Sequence, residues 1–368
     1  MRVLHLGSGN MYGGIEAMLV AMASARPAGI HLEQEFGVSF EGRFSSELRS
    51  ASARVHHFGE VRTSRPWTVV AARQRLRRLL RKEQFDAVIC HAPWTFAIFR
   101  RAVGGSNHPD LIFWAHNRPE SDHWLDRWAF RRPPRRAICN SKFTAEALRQ
   151  RFPDAKLRVI HPPVAPIKTL LTGEERRQLR LSLGAADRDV VIIQASRLER
   201  LKGHRVLLQA LAQISDVPSW VCWIAGGPQQ NTEKAYLDEI LQLAKSLGIA
   251  ARVHFLGQRS DVPALMQAAD IHCQLNEGPE SFGVAFIEAL AAGIPVVTTA
   301  IGGAVEIVDS SCGILIPPGD FKEAGTVLRA LITNQDLRRR LGEAGPARSQ
   351  QLCDPSARLR DLAEFLAS

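Results

Sequence analysis

The 368-residue chain has no apolar run approaching the roughly 18 to 20 residues needed to span a bilayer, so it gives no signal for an integral helical membrane protein. Its opening, MRVLHLGSGN, lacks the apolar core of a secretory signal and reads as the first strand of a mature protein, which makes a cytosolic location the expectation. Six cysteines (Cys90, Cys139, Cys222, Cys273, Cys312 and Cys353) show neither CxxC nor zinc-ligand spacing. That scatter argues against a disulfide framework or a zinc module and for reduced core residues. No internal repeat, low-complexity tract or nucleic-acid recognition motif is present.

What is present is enough apolar content, 45%, to build two cores. Positive charge is concentrated in the first half. Residues 1–160 hold 26 Lys and Arg against 14 Asp and Glu, a net +12, which leaves −2 for the remainder of a chain whose total is +10. A basic half implies an anionic partner.

Short apolar runs alternate with longer amphipathic segments throughout, the pattern of an α/β fold with parallel sheets. Strands are expected at Val3–Leu6, Glu35–Val38, Arg54–His57, Ala87–Cys90, Leu111–Ala115, Arg136–Ile138 and Arg158–Ile160. A second series is expected at Val190–Gln194, Val221–Ala225, Arg252–Leu256, Ile271–Gln274, Pro295–Thr299 and Gly313–Ile316. Two such series imply two Rossmann-like doubly wound domains facing a cleft, with ligands at the carboxyl ends of the strands. The proline-rich stretch His161–Pro166 suits the linker. The expected domains are 1–163 and 164–352, with an amphipathic C-terminal helix at about 353–368 packing back on the first.

The segment Asn276–Gly293, NEGPESFGVAFIEALAAG, has Glu280 and Glu288 with seven residues between them. Ser281 suits an N-cap, Phe282, Ala285, Phe286, Ala289 and Leu290 form a helical apolar stripe, and Gly293 with Pro295 ends it. At about 1.5 Å per residue the two carboxylates lie on the order of 12 Å apart, with the unpaired N–H groups of residues 282 to 284 between them. A helix N-terminus attracts phosphate. One extended ligand giving hydroxyls to both glutamates and a diphosphate to the middle is a nucleotide sugar.

Other motifs follow strands of the second half. Ser196-Arg197 and Lys202-Gly203 place two cations after the first of them, where a phosphate can be met. Gly226-Gly227-Pro228 follows the second, and Phe255-Leu256-Gly257-Gln258-Arg259 the third. In this order, with Ala269-Asp270 and then Glu280-Ser281-Phe282-Gly283 and Glu288-Ala289, the motifs resemble the donor half of glycosyltransferase family 4, which has the GT-B fold. The resemblance covers about residues 190 to 320. It implies a retaining enzyme in which Glu280 binds the donor sugar, Glu288 binds ribose, and Arg197, Lys202 and the amides of Gly283 and Val284 hold the diphosphate. Gln258 and Arg259 would lie on the donor, together with Gly226, Gly227, Ser281 and Phe282.

The first half carries Gly7-Ser8-Gly9-Asn10-Met11-Tyr12-Gly13-Gly14-Ile15-Glu16 after its first strand. It resembles the family's GGxE loop, with Gly13 and Gly14 near the donor phosphate and Tyr12 on the acceptor side. As a dinucleotide fingerprint it fails, because Tyr12 stands where the third glycine should be. Glu33 and Glu35 lie at about the distance of a ribose-binding acid, so an NAD-dependent oxidoreductase stays open as an alternative, beside a nucleotide-sugar epimerase of the same fold. His116-Asn117 stands where the family often carries His-Asp, with the histidine near the reaction centre. Asn117 removes the carboxylate partner but leaves His116 able to hydrogen-bond a sugar hydroxyl. His91 ends the neighbouring strand and is assigned, with Asn117, to the acceptor side.

Metal is not expected, and the function needs no cofactor beyond the nucleoside diphosphate sugar as co-substrate. Asp187-Arg188-Asp189 has D-x-D form but precedes its strand, at the wrong end of the sheet. The basic segments Thr68–Lys82 and Trp124–Arg136, the latter mixing tryptophan with arginine, suggest contact with an anionic membrane surface. The expected acceptor is a growing cell-surface glycan or a lipid-linked sugar, and nucleic acid is not an expected partner.

Overall fold

The computed structural model describes residues 1–10, 12–103, 109–119, 124–167, 169–228 and 230–368. Met11 of the glycine-rich loop lies outside them. The chain divides into two compact units, one made of Met1–Ala165 with Cys353–Ser368 and the other of Pro166–Leu352.

The first unit is built on strands β1 (Arg2–Gly7), β2 (Glu33–Val38), β3 (Arg54–His57), β4 (Ala87–Cys90), β5 (Asp110–Ala115), β6 (Arg136–Cys139) and β7 (Lys156–Val159). They form one sheet in the order β3-β2-β1-β4-β5-β6-β7, every pair parallel. Runs such as AVIC and LIFWA are apolar on both faces because helices cover both faces of a parallel sheet. On one face Met18, Leu19 and Met22 of the helix Gly14–Ser24 pack with Leu359, Leu362 and Phe365 of the C-terminal helix Pro355–Ala367. The other face is covered by Val69, Ala72 and Leu76 of the helix Pro66–Lys82 and by Phe96 to Phe99.

The C-terminal helix is also held by polar contacts. Lys156 Nζ donates to the Ser368 carbonyl at 2.9 Å, Arg158 pairs with Glu364 at 3.3 Å, and the Arg136 guanidinium lies 4.3 Å from the centre of the Phe365 ring. The expected strand at Arg158–Ile160 lies two residues earlier, at Lys156–Val159. This edge strand alternates exposed and half-buried residues, so its lysine start carries no apolar signal.

In the second unit, β8 (Val190–Ala195), β9 (Trp220–Ala225), β10 (Val253–Gly257), β11 (Ile271–Gln274), β12 (Val296–Thr299) and β13 (Gly313–Ile316) form a parallel sheet in the order β10-β9-β8-β11-β12-β13. The strand order reverses between β1 and β4 in the first sheet and between β8 and β11 in the second. At such a switch point the flanking helices depart to opposite faces and leave a crevice at the carboxyl ends.

Two acidic groups weighed from the sequence lie at the opposite ends of their sheets. Glu35, at 5% exposure, is gripped by Arg2, by Arg54 and by His56 Nε2 at 2.5 Å, so it is a structural anion rather than a ribose ligand. Asp189 Oδ2 accepts from the Ala186 amide at 2.7 Å, ahead of β8. Among the described residues no three His, Cys, Asp or Glu side chains are grouped as a metal site, and no helix is long and apolar enough to cross a membrane.

Candidate functional site

The loop after β8 turns through Ser196 to a short 3-10 turn, Arg200–Lys202, then enters the helix His204–Ala212. Gly203 makes the change of direction with φ of +69°. A Cβ there would meet the Leu275 carbonyl oxygen at 1.6 Å, so only glycine lets this loop lie against the end of β11. The Leu201 carbonyl accepts from the Glu277 amide at 3.0 Å, which ties the two loops together across the switch point. Gln194 supports the turn from below, donating to the Lys202 carbonyl at 2.8 Å. Through this framework Lys202 reaches Glu280, with Nζ 2.5 Å from Oε2, and Gln274 Nε2 donates to the same oxygen at 3.4 Å.

The expected helix start, with Ser281 as N-cap, is corrected by two residues. The helix runs Val284–Ala291, and its N-cap is Gly283 at φ +109°. Glu280 stays outside the helix because the loop after β12 claims its backbone: the Gly303 amide donates to the Glu280 carbonyl at 2.7 Å, and Gly302 forms a bridge with Glu280. The amides without an intrahelical acceptor therefore begin at Val284 rather than at residue 282. Ser281 is half-buried and Phe282 is 2% exposed, anchoring the segment in the core.

Glu288 lies one turn into this helix. It keeps a minority of its surface, while its carboxyl is enclosed deeply enough for burial to push it up to about 7. No cation pairs with it among the described residues. Gln194 Oε1, Gln274 Oε1 and Asn276 Nδ2 are likewise buried without partners at the same end of the sheet. Buried polar atoms are ordinarily bonded, so a group of orphans at a switch point marks where a polar ligand would complete them.

The remaining second-unit candidates divide. Gly226 and Gly227 serve chain packing: a Cβ on Gly226 would meet the Ser196 carbonyl oxygen at 2.0 Å, and one on Gly227 the Gln258 amide nitrogen at 2.7 Å. They let the loops after β8, β9 and β10 converge, with the Gly226 amide bonded to the Gly257 carbonyl at 2.9 Å. Gln258 is exposed. Arg259 is held by both oxygens of Asp261, at 2.8 and 2.6 Å, and Arg197 pairs with Glu199 at 2.7 Å while remaining about half exposed.

In the first unit, Gly13 and Gly14 are exposed at the start of the helix Gly14–Ser24. Glu16 Oε2 accepts from the Gly13 amide at 2.9 Å, so the acid of the GGxE loop holds the loop itself and occupies the amide expected to face phosphate. The Tyr12 hydroxyl donates to Glu47, under Arg43 whose guanidinium lies 3.9 Å from the ring centre. Burial, then the Glu47 carboxylate, pushes the phenol up.

His116 is 9% exposed at the end of β5, and Asn117 beside it is exposed. Asn140 Nδ2 donates to the His116 carbonyl at 2.8 Å. His91, expected on the acceptor side, is instead 1% exposed, enclosed between two other histidines. His5 on β1 is the one of these that sequence reading missed, because a lone histidine in an apolar strand reads as core.

Two family models match the chain: "Glycosyltransferase Family 4" over residues 13–166 and "Glycosyl transferases group 1" over residues 175–348. The chain is 34% identical over 203 residues to D-inositol 3-phosphate glycosyltransferase of Mycobacterium sp. strain KMS, covering 54% of this chain and 45% of that protein. It is 32% identical over 168 residues to N-acetyl-alpha-D-glucosaminyl L-malate synthase of Bacillus anthracis, covering 45% and 42%. The chain thus spans about half the length of the curated relatives it matches. A solved structure, Anabaena HepE in complex with UDP and glucose, superposes with a TM-score of 0.85 over 100% of both chains at 24% identity, a likeness that shows the fold. Successive matches over both halves, with the fold shared along the full length, place the chain in the group 1, family 4 glycosyltransferases, which have the GT-B fold.

Proposed function

We propose that the chain is a retaining glycosyltransferase that moves a hexose from a nucleoside diphosphate sugar to an acceptor hydroxyl. The observation that carries this reading is the Lys202–Glu280 pair at the β8/β11 switch point, just ahead in the chain of the helix Val284–Ala291, one turn into which lies the enclosed carboxyl of Glu288. Glu280, then the cation with the helix N-terminus, then Glu288 match the order sugar, diphosphate and ribose hydroxyls in such a donor. UDP and glucose bound to HepE support the same donor class.

In this reading a diphosphate draws Lys202 away from Glu280 and leaves that carboxylate to accept from the sugar's hydroxyls. The two ribose hydroxyls donate to Glu288, supplying the partners its enclosed carboxyl lacks. As the glycosidic bond breaks, negative charge accumulates on the leaving diphosphate and is stabilised by Lys202, Arg197 and the helix amides, interactions that strengthen in the transition state. The acceptor oxygen attacks the anomeric carbon from the face the diphosphate leaves, and its proton passes to a departing phosphate oxygen. No metal is required, because the cations and the helix dipole supply the neutralisation.

The acceptor is proposed to be a cell-surface glycan or lipid-linked sugar held by the basic first unit, with the chain peripheral on the cytoplasmic face of a membrane. Trp67 at 67% and Val70 at 50% exposure stand on the helix Pro66–Lys82, and Trp124, 53% exposed, stacks on Trp128. Not every cation there is available to lipid. Arg73 Nε caps the Ile98 carbonyl at 2.6 Å, and Arg75 binds the Phe58 carbonyl at 2.7 Å.

A thermal-shift series with UDP, GDP and ADP and their hexose conjugates tests the donor class, since a ligand bound only by the folded state raises its melting temperature. Stabilisation by one nucleotide series, lost in Lys202→Ala, is the expected result. No shift with any of them would reject the reading. An epimerase would convert the donor sugar without an acceptor, which product analysis separates.

A further inference from the structure

Three histidines, one on β1 and one just past the end of each of the adjacent strands β4 and β5, form a continuous hydrogen-bonded chain across the first sheet. His5 on β1 bonds through Nδ1 to His91 Nε2 at 2.9 Å, and His91 Nδ1 bonds to His116 Nε2 at 3.0 Å. Strands β1, β4 and β5 are neighbours and all parallel, so residues at their carboxyl ends come side by side on one face. The rings are clamped from both sides, His5 stacking on Phe36 with centroids 5.2 Å apart and Trp114 stacking on His116 at 5.8 Å. All three lie within 9% exposure. Burial lowers each well below the ordinary imidazole value, His5 and His116 to about 3, so at neutral pH every ring is uncharged and carries one N–H.

Three N–H groups and two ring-to-ring bonds allow only two registers without a clash. In one, protons point outward: His5 Nδ1–H donates to His91, His91 Nδ1–H to His116, and His116 presents Nδ1–H. In the other every proton sits on Nε2, His116 donates to His91, His91 to His5, and His116 presents a bare Nδ1 lone pair. The far end of the chain decides between them. His5 Nε2 is buried without a bonded partner, and so is Gln34 Oε1 on the adjacent β2. Val3 pairs with Gln34 and His5 with Phe36, which sets Gln34 diagonally beside His5 on the same face. The Gln34 amide nitrogen already donates to the Met22 carbonyl at 3.0 Å, which fixes its oxygen as the atom left over. An oxygen can only accept, so it satisfies His5 only if the proton is on Nε2. The Trp114 indole N–H is also buried without a partner, but its ring packs against His91 and His116, away from His5 Nε2.

We propose that Gln34, His5 and His91 are positioning residues that lock His116 in the Nε2–H tautomer, making its outer nitrogen, Nδ1, a fixed hydrogen-bond acceptor. Among the described residues nothing bonds that nitrogen, and it is not sealed in the core. The relay thereby does the orienting that a neighbouring carboxylate would do, at a position where the next residue is Asn117. Resting on the glycosyl-transfer reading, the group His116 addresses is a hydroxyl of the sugar substrate, accepted without taking its proton. The tautomer itself does not depend on that reading.

Long-range proton–nitrogen NMR on the ligand-free full chain, labelled in its 12 histidines, reads each tautomer directly; signals are assigned by their loss in single His→Gln variants. The expected spectrum shows protonated Nε2 and bare Nδ1 for His5, His91 and His116. A protonated Nδ1 on His116, or an even mixture, would overturn the proposal. Gln34→Met removes the terminal acceptor and is expected to move His116 to Nδ1–H or to a mixture, whereas Gln34→Glu, which still accepts from His5, keeps the wild-type pattern. An unchanged Gln34→Met spectrum would equally overturn it, and if that variant fails to fold the wild-type spectrum still decides. With no donor in the sample, failure here is distinct from failure of the transferase reading.

Discussion

Lys202 and Glu280, 78 positions apart in the chain, meet as an ion pair of 2.5 Å with both side chains 18% exposed. Each neutralises the other while no ligand is bound. On the proposed reading the pair poises the site, because a diphosphate would compete for the cation at the moment a sugar needs the carboxylate.

Lys202→Ala is expected to lower kcat by roughly 10²- to 10³-fold, the usual cost of removing one group that stabilises developing charge. Its effect on folding should be small, on the order of 1 kcal/mol, because the pair is partly solvated. Steady-state kinetics beside thermal melts separate the two, and near-wild-type kcat would remove Lys202 from the leaving-group role.

Glu288 predicts a pH signature. Its carboxyl sits at about 7 in the folded protein, against 4.5 for an ordinary glutamate. Between those values the folded state holds a proton that the unfolded chain has lost, so stability falls as pH rises through that window and levels off above it. The full penalty is on the order of 3 kcal/mol. Glu288→Gln should therefore melt several degrees above wild type at pH 8 and close to it at pH 4.5. Equal differences at both pH values would contradict the enclosed carboxyl.

Gly302 lies at φ +64°, and a Cβ there would stand 2.2 Å from the Glu280 carbonyl oxygen and 2.8 Å from its amide nitrogen. Gly302→Ala should displace the Glu280 backbone that aims its side chain. The expected result is a loss of about 2 kcal/mol or more in stability, with a fall in donor affinity seen by calorimetry. A control at Gly319, with open space around it, should leave affinity unchanged.

Membrane contact is tested by co-sedimentation with vesicles. Binding to anionic but not neutral vesicles, weakened by added salt and by Trp67→Ala with Trp124→Ala, is expected. Equal partition to both vesicle types would reject an anionic surface as the partner.

The thirteen strands were legible because strands buried on both faces are written as unbroken apolar runs, and only edge strand β7, half exposed, was misplaced. The candidates Glu280, Arg197 and Lys202 stood out for a different reason, as polar residues in the loops after apolar strands, and Glu288 as the acid of an otherwise apolar helix. Ser281 misled because its N-cap chemistry is local, whereas the backbone of Glu280 is claimed by Gly303, twenty-three positions away. Gln194 carried a faint signal, as the polar member of an otherwise apolar strand.

By itself the sequence determined the parallel sheets, the glycines where backbones converge and the charged groups near the strand ends, since each depends on periodicity, on a missing Cβ or on a local run. Tertiary structure alone decided which charges meet. It paired Lys202 with Glu280, turned Glu35 into a structural anion and brought His5, His91 and His116 into one line. Those outcomes depend on strand order, and strand order is set by the packing of helices onto both faces of a sheet, which no short stretch of sequence records.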